Sequence, residues 1–254
     1  MGRIIAIANH KGGVGKTTSV ASVGAILASK GYSTLLVDLD AQANLTTSLL
    51  PSEPQRTIYT SLKSREPLPI VQLRERLSLV PSSLDLAGIE LEIGGAMSRE
   101  YLLKDLLEPI AGNYDFVLLD CAPSLGLLTI NSFVAASEVI VPLTAEALPS
   151  KGLQKLQEFI GMVQKRLNPS LRLSGIVITR WMRKKLSQMV EEQLRQRYGD
   201  LVFTSKVREN VAIAEAPLSG TDIATYSPTS NGSADYTALT DEIVARGKND
   251  NMVI

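Results

Sequence analysis

The chain has 254 residues, with 26 basic and 26 acidic side chains that cancel to no net formal charge. This balance excludes an affinity for nucleic acid or membrane driven by overall charge, so any such affinity must come from a local patch. The lone cysteine, Cys121, excludes an internal disulfide and a multi-cysteine metal site within one chain, and it fits a reducing compartment. No apolar run reaches the ~18 residues of a membrane span, and the N-terminal run is too short for a signal peptide. A cytoplasmic protein is expected, with Cys121 as a packing residue.

Short apolar runs rich in β-branched residues alternate with helical patterns along the chain. The runs that predict strands are 3–9, 34–40, 77–83, 116–122, 138–144, 173–179 and 202–207. Several are continuously apolar rather than alternating, which is typical of strands covered on both faces. Helical patterns occupy 17–30, 98–108, 150–167 and 187–198. The alternation predicts an α/β fold with a doubly wound, mostly parallel sheet flanked by helices.

Residues that favour helix ends and loops refine these predicted boundaries. Gly31 follows the first helical pattern and is expected to end it, and Ser98 stands in an N-cap position before the second. The stretches 51–69 and 217–233 are expected to be rich in loops. Because no linker, repeat or low-complexity tract interrupts the chain, residues 1–254 are expected to form a single domain.

The stretch NHKGGVGKTT at residues 9–18 follows the first predicted strand and opens the first predicted helix. This is the context of a phosphate-binding loop, whose glycines let backbone N–H groups cradle phosphate oxygens at a helix N-terminus. Lys16 is expected to reach the β- and γ-phosphates of ATP, Thr17 to ligate Mg²⁺ and Thr18 to bond the α-phosphate. The predicted nucleotide-binding residues of the loop are Lys11, Gly12, Gly13, Val14, Gly15, Lys16, Thr17 and Thr18.

The loop departs from the usual pattern, because His10 stands where the first glycine belongs and Lys11 is an additional lysine. KGGVGKTT with this leading lysine resembles the deviant Walker A loop of the ParA/MinD family of P-loop ATPases. The resemblance implies that Lys11 reaches across a two-fold axis to the partner subunit's nucleotide in an ATP-bound sandwich homodimer. A cation in that position would stabilise charge on the transferring phosphoryl group. His10 is interpreted as a polar loop residue near the dimer interface rather than a catalytic group.

Three aspartates follow predicted strands. Asp38 and Asp40 are two residues apart and share one side of a strand end, at the edge where open α/β sheets bind ligands. Asp120 ends the apolar run FVLLD, a Walker B pattern, and is expected to hold the Mg²⁺ shell. LLVDLDAQANLT resembles the family's switch I and CAPSLGLLTIN its switch II, with Ala122 where a proline is usual.

By this resemblance Asp40 orients or activates the attacking water, and Asp38 supports Mg²⁺ or Lys16 indirectly. The expected catalytic residues are Lys11, Lys16 and Asp40, and the expected metal residues are Thr17, Asp38 and Asp120. The stretch VRENVAIAEAPLSG (207–220) resembles the ParA-type segment that packs around the adenine, which implies base contacts by Val207 and Asn210. ParA-like proteins commonly have a proline where Arg208 stands and an arginine where Ala212 stands.

Resemblance to the small ParA (Soj-like) ATPases also implies nonspecific DNA binding by the ATP dimer, which needs a basic surface rather than base-reading side chains. The phosphate loop begins too close to residue 1 to leave room for an N-terminal helix-turn-helix in this sequence. The best basic cluster is in TRWMRKK (179–185) and comprises Arg180, Arg183, Lys184 and Lys185. Arg195, Arg197, Lys206 and Arg208 are expected to extend it. A charge run of this kind is also typical of an ordinary solvated face.

These observations predict a nucleoid-associated partition ATPase with weak intrinsic hydrolysis that a ParB-type or cargo-adaptor protein stimulates. Its cargo, either a chromosome or plasmid locus or a protein assembly such as a carboxysome, stays open. One alternative is a MinD-like membrane-cycling ATPase, although the tail 240–254 passes from a helical start into a polar stretch with no apolar face. The other is a nucleotide-gated scaffold with little turnover.

Overall fold

The computed structural model describes residues 2–145 and 150–250, and at its centre lies an eight-stranded sheet. The strands are β1 (Arg3–Ile7), β2 (Thr34–Leu39), β3 (Val71–Arg74), β4 (Leu77–Val80), β5 (Phe116–Cys121), β6 (Glu138–Thr144), β7 (Arg172–Trp181) and β8 (Val202–Arg208). Their order across the sheet is β3-β4-β2-β5-β1-β6-β7-β8. Neighbouring strands run parallel except β3 and β4, which are antiparallel at one edge. The predicted α/β class and the mostly parallel sheet are confirmed.

Helices connect the strands. They are α1 (Lys16–Ser29), α2 (Asn44–Leu49), α3 (Ile58–Ser64), α4 (Ile89–Glu92), α5 (Leu102–Leu107), α6 (Leu127–Ala135), α7 (Ser150–Arg166), α8 (Lys185–Tyr198), α9 (Val211–Leu218), α10 (Ile223–Tyr226) and α11 (Asn231–Asp250), with short 3₁₀ turns at Leu84–Gly88, Ala111–Asn113 and Gly199–Leu201. The seven strands predicted from the sequence are present. The additional strand β3 is not predicted, because its four residues are too few to establish an alternating pattern at the partly exposed edge of the sheet.

The central strands are continuously apolar because both of their faces are buried. In β2, Leu35 and Val37 pack with α3 to α8 on one face of the sheet, whereas Leu36 between them packs with α1, α2, α10 and α11 on the other. Strand β5 divides in the same way, with Leu119 on the first face and Leu118 on the second. One run of sequence therefore contributes to two hydrophobic layers.

One predicted helix start is wrong and one predicted helix end is confirmed. Ser98 has a φ of 54° and lies in a turn, so helix α5 begins at Leu102 instead of at the expected 98. The two stretches expected to be rich in loops also contain α3, α10 and the beginning of α11, and α3 and α10 are too short to show a clear helical period. Gly31 does follow the end of α1, with a φ of 92° that suits glycine.

The order of the strands brings the predicted site residues together. Strand β5 lies between β1 and β2, and the register places Asp120 beside Ile7 on one side and beside Asp38 on the other. Because parallel strands end at the same edge of a sheet, the loops that follow β1, β2 and β5 meet there.

Helix α6, which follows one of these loops, is held at its C-terminal end by the buried side chain of Asn168. The amide nitrogen of Asn168 donates to the carbonyl oxygens of Phe133, Val134 and Ala136, at 2.8, 3.2 and 2.6 Å. Carbonyl groups in the last turn of a helix have no partner within the helix. Asn168 therefore satisfies groups that would otherwise be buried without a donor.

We expect Asn168→Ala to lower the free energy of unfolding by about 2 kcal/mol, because buried carbonyl oxygens lose their donor. Chemical denaturation followed by circular dichroism measures this change. Asn113→Ala is the matched control, since Asn113 is exposed and its side chain makes no hydrogen bond with the described residues. The control should shift the free energy of unfolding by less than about 0.5 kcal/mol. Equal effects of the two substitutions would contradict the role given to Asn168.

Candidate nucleotide-binding site

The loop between β1 and α1 encloses an open space at the carboxyl ends of the central strands. Gly13 and Gly15 have φ angles of 70° and 85°, which other residues rarely adopt. A Cβ placed on Gly12 or Gly13 would meet no protein atom within 4 Å. Space of this kind, in front of backbone N–H groups at the start of a helix, fits a phosphate group.

Two side chains from outside the glycine-rich stretch hold the loop in place. Asn9 is buried, donates to the carbonyl of Pro142 at 2.7 Å and accepts the N–H of Lys11 at 3.0 Å. The hydroxyl of Thr179, near the end of β7, donates to the carbonyl of Val14 at 2.9 Å. Neither residue was predicted. Asn9 could have been suspected from its place before the loop, whereas nothing in the local sequence marks Thr179.

The two lysines of the loop lie in opposite environments. Lys16 begins α1 and is 7% exposed, and its ammonium group donates to the carbonyl of Lys11 at 3.5 Å. It therefore places a buried positive charge at the open space. Lys11 is exposed, and among the described residues its side chain has no hydrogen bond or ion pair. Its ammonium is free to reach a group outside the subunit.

His10 is exposed at the tip of the loop, and its ring lies against Gly152 near the start of α7. A Cβ on Gly152 would overlap the ring, so the contact requires glycine there. His10 is thus a polar loop residue that packs on α7, and its place near a dimer interface stays a prediction.

Asp120 is a buried carboxylate whose only close partners of opposite polarity among the described residues are Thr17 and Lys16. It is 1% exposed, and neither oxygen has a hydrogen bond of normal geometry with the described residues. Burial raises the pKa of Asp120 well above its ordinary value and the charge of Asp38 adds to this, whereas Thr17 and Lys16 lower it. Buried carboxylates are usually paired or bound to a metal. The two carboxylate oxygens of Asp120, next to Thr17, are therefore suitable ligands for Mg²⁺, either directly or through water.

Asp38, beside it on β2, already uses both of its oxygens. Its Oδ2 accepts the hydroxyl and the N–H of Thr46 at 2.7 and 2.9 Å, and its Oδ1 accepts the N–H of Asp40 at 3.1 Å. Burial raises the pKa of Asp38 to about 6, although the hydrogen bonds from Thr46 oppose the shift. These contacts make Asp38 an organiser of the loop after β2. Its indirect support of Mg²⁺ stays a prediction.

Asp40 differs from both neighbours because it is half-buried and keeps one oxygen available. Its Oδ1 accepts the N–H of Gln42 at 3.0 Å, and its main-chain carbonyl accepts the hydroxyl of Ser82 at 2.9 Å. Within the described part of the chain its Oδ2 has no hydrogen bond. That oxygen can accept a hydrogen bond from a water molecule at the open space.

A cleft continues from the first turn of α1 between α9 and α10. Its lining includes Thr17, Thr18, Ile213, Ala216, Pro217 and Thr221. Neither predicted base contact lines it. The side chain of Val207 is 2% exposed in the core, and the side chain of Asn210 caps α9 by accepting the N–H of Ala212 at 2.9 Å. From this part of the chain the cleft is lined instead by residues that follow Asn210 by 3 to 11 positions, namely Ile213, Ala216, Pro217 and Thr221.

The predicted basic cluster is exposed at the end of β7 and the start of α8. Its members are Arg180, Arg183, Lys184 and Lys185. Arg180 lies 3.4 Å from the carboxylate of Glu209, whereas the other members have no ion pair with any residue that the structure describes. The cluster begins one residue after Thr179, which contacts the phosphate loop. The cluster therefore lies on the same side of the molecule as the nucleotide site, at the carboxyl ends of the strands.

The expected extension of this cluster is largely wrong. Lys206 and Arg195 both pair with Glu191, at 2.7 and 3.1 Å, and Arg208 pairs with Asp235 at 2.7 Å. Arg197 is exposed and lies over the ring of Tyr198. Trp181, in the middle of the cluster, is covered by the ammonium of Lys206 at 4.1 Å from its ring centroid. Among the residues of the cluster and its expected extension, those with no ion pair to the described residues are therefore Arg183, Lys184 and Lys185 at the beginning of α8, and Arg197 near its end.

Two remaining predictions concern the cysteine and the membrane. Cys121 is buried, and burial raises the pKa of its thiol to about 12, which agrees with a packing role. Of the described helices, none combines the length and apolar character that a membrane crossing needs. Helix α11 continues to Asp250, further than the expected helical start, and residues 251–254 of the tail lie outside the described residues.

Known proteins with similar sequences share almost the whole length of the chain. A family model described as an AAA domain matches residues 2–173. The chain is 42% identical over 248 residues to the chromosome-partitioning ATPase Soj of Thermus thermophilus, covering 96% of each protein. It is 39% identical over 252 residues to the chromosome partitioning protein ParA of Caulobacter vibrioides, covering 96% of this chain and 94% of that protein.

The structural comparison agrees. The solved structure of a protein named cobyrinic acid a,c-diamide synthase from Mycobacterium smegmatis, with bound ADP and magnesium, matches with a TM-score of 0.85. It is 35% identical to this chain, and the match covers 98% of this chain and 96% of that one. The sequence relatives, the sheet order and the variant phosphate loop lead to one conclusion. The chain belongs to the ParA/Soj family of chromosome-partitioning ATPases.

Proposed function

We propose that this chain is a single-domain partition ATPase that binds Mg·ATP, dimerises around it and binds DNA nonspecifically in that state. The observation that carries the proposal is Asp120, whose two buried oxygens have no partner of normal geometry next to Thr17 and the phosphate loop. The ADP and magnesium in the Mycobacterium smegmatis structure support the same ligands here. The adenine is proposed to bind against α9 and α10, where the narrow cleft would widen to admit it.

The residues of the site divide the work of phosphoryl transfer. Thr17 and Asp120 would hold Mg²⁺, which when bound neutralises phosphate charge and orients the phosphoryl group. The buried ammonium of Lys16 and the N–H groups of the loop bind the phosphates. Asp40 uses its available Oδ2 to orient the attacking water. Positioning and charge, rather than base strength, govern the rate of this reaction.

Lys11 is proposed to act on the partner subunit. It is exposed at the mouth of the loop and has no partner among the described residues, as a residue that binds in trans must be. Across a two-fold axis its ammonium would add positive charge to the partner's phosphoryl group, as an arginine finger does. ATP would then stabilise the dimer, and hydrolysis would release it.

The DNA-binding surface is proposed to be the basic cluster at the start of α8. Dimerisation would double it, and the exposed cations of Arg183, Lys184 and Lys185, which have no ion pair with the described residues, suit phosphate contacts that do not depend on base sequence. A ParB-type or cargo-adaptor protein would stimulate hydrolysis, and the resulting ADP-bound monomers would dissociate from the nucleoid DNA. A chromosome or plasmid locus is the proposed cargo, by likeness to the named relatives.

Lys11→Ala should abolish ATP-dependent dimerisation while nucleotide binding is retained, because the loop that binds phosphate stays intact. Stimulated hydrolysis should fall by about 10³-fold or more, as for loss of an arginine finger. Light scattering and equilibrium binding measure the two effects. Lys104→Ala, at an exposed lysine near the amino ends of the strands, should behave as wild type. An ATP dimer that persists in Lys11→Ala would refute the assignment.

Asp40→Ala should trap the ATP-bound dimer, because the attacking water loses its acceptor and turnover falls by about 10²-fold or more. Steady-state phosphate release and size-exclusion chromatography follow the outcome. Asp40→Asn removes the negative charge but keeps the loop contact, since the amide oxygen of asparagine can still accept the N–H of Gln42. We expect both variants to be slow, and normal turnover in Asp40→Ala would refute the role of this residue.

The double variant Lys184→Ala/Lys185→Ala should weaken DNA binding equally for all sequences. It should also lower the slope of log affinity against log salt by about 2, one for each lost phosphate contact. Binding to a random-sequence duplex is measured without nucleotide, with ADP and with ATP, across a salt series. Lys206→Ala is the control, because that lysine is paired with Glu191.

If the wild-type protein binds DNA only with ATP, the result supports a partition ATPase. If it binds DNA in no nucleotide state, the result refutes that function. Reversible binding to lipid vesicles would then indicate a MinD-like membrane cycle, and absence of stimulated turnover would indicate a nucleotide-gated scaffold.

A further inference from the structure

The segment after β4, residues 82–92, touches the loop that carries Asp40. Ser82 is 1% exposed, and its hydroxyl donates to the main-chain carbonyl of Asp40 at 2.9 Å. The N–H of Ser82 donates to the hydroxyl oxygen of Thr46 at 2.9 Å, and that hydroxyl donates to Asp38 at 2.7 Å. The first residue of the segment therefore fixes the loop after β2 through two separate hydrogen bonds.

The same segment also touches the loop after β5. The Oε1 of Glu90 accepts the N–H of Leu128 in the first turn of α6, at 3.0 Å. Gly126 lies directly beneath this carboxylate, since a Cβ there would stand 2.5 and 2.8 Å from its two oxygens. Helix α6 has no capping side chain of its own at Gly126. Glu90 therefore supplies the cap from another part of the chain, and negative charge is favourable there.

The part of the segment between these contacts is helical and anchored in the core. The 3₁₀ turn Leu84–Gly88 leads directly into α4, so no flexible loop separates Ser82 from Glu90. Leu86 is 1% exposed and Ile89 is fully buried in the layer that covers the first face of the sheet. A short element packed in this way shifts as a unit rather than bending at one end.

We propose that residues 82–92 couple the two loops that flank the nucleotide phosphates, with Ser82 and Glu90 as the positioning residues at the two ends. The proposal rests on the proposed function, because the coupled loops carry Asp40 and follow Asp120. A change in the position of one loop is passed to the other through the anchored segment. The alternative is that Ser82 and Glu90 stabilise their own loops independently.

Hydrogen exchange in the nucleotide-free protein tests the coupling directly. The amide of Leu128 should exchange at least about fivefold faster in Glu90→Ala, as for loss of an N-cap, and less so in Glu90→Gln, which keeps an acceptor. The decisive readouts are the crossed ones. Glu90→Ala should speed exchange of the Thr46 amide, and Ser82→Ala that of the Leu128 amide, each by at least about twofold.

Glu92→Gln is the matched control from the same short helix. Glu92 pairs at the surface with Lys63 at 2.8 Å and accepts the hydroxyl of Tyr59 at 3.1 Å, away from both loops. It should change neither amide. If each local effect is present but the crossed effects are absent in both Ser82→Ala and Glu90→Ala, the coupling is overturned and the two residues stabilise their own loops independently.

A second measurement separates this inference from the proposed function. With Mg²⁺ and a slowly hydrolysed ATP analogue, residues 40–46 and 121–128 should both gain protection in the wild type. In Glu90→Ala the gain should be reduced at 121–128 and, to a smaller extent, at 40–46, and the effects of Ser82→Ala and Glu90→Ala should not add in the double variant. Additive effects would overturn the coupling. Failure of the wild type to bind the analogue would overturn the proposed function, and the crossed effects without nucleotide would still decide the coupling.

Discussion

The arrangement of the site depends on two buried carboxylates that lie side by side. Asp38 and Asp120 are register partners on adjacent strands, and both are almost completely buried. Charge in such a place must be met by donors, by cations or by protonation. The hydroxyl and N–H of Thr46 stabilise Asp38, whereas Asp120 has only Lys16 and Thr17 close by. The imbalance makes the site receptive to a further cation, which is the reason a metal-bound nucleotide suits it.

The rest of the molecule holds this charged pair in position. The sheet order places β5 between β1 and β2, so the phosphate loop and the two acidic loops meet without long connections. Each loop is then braced from elsewhere: the phosphate loop by Asn9 and Thr179, the others by Ser82 and Glu90. The braces come from strand ends and a short helix that are anchored in the two hydrophobic layers. The catalytic loops are therefore supported by the packed core rather than by contacts among themselves.

The chemistry of the site could be predicted from the sequence, but most of its support could not. The loop NHKGGVGKTT and the aspartates at strand ends are local patterns whose meaning depends on a few neighbouring residues. The contact of Glu90 with Leu128 spans 38 positions, and that of Thr179 with Val14 spans 165, so neither leaves a periodic or adjacent signal. For the same reason the basic extension was predicted wrongly. The acids that pair with Lys206 and Arg208, namely Glu191 and Asp235, lie on other elements.

Trp181 is the only tryptophan of the chain and the last residue of β7. It lies two residues beyond Thr179, which contacts the phosphate loop, and its ring is covered by the ammonium of Lys206 within the basic cluster. Indole emission responds to a nearby cation and to the polarity around the ring. The molecule thus carries an intrinsic fluorophore within its basic surface and close in sequence to a contact of the phosphate loop, so its emission is expected to report occupancy of either without labelling the chain.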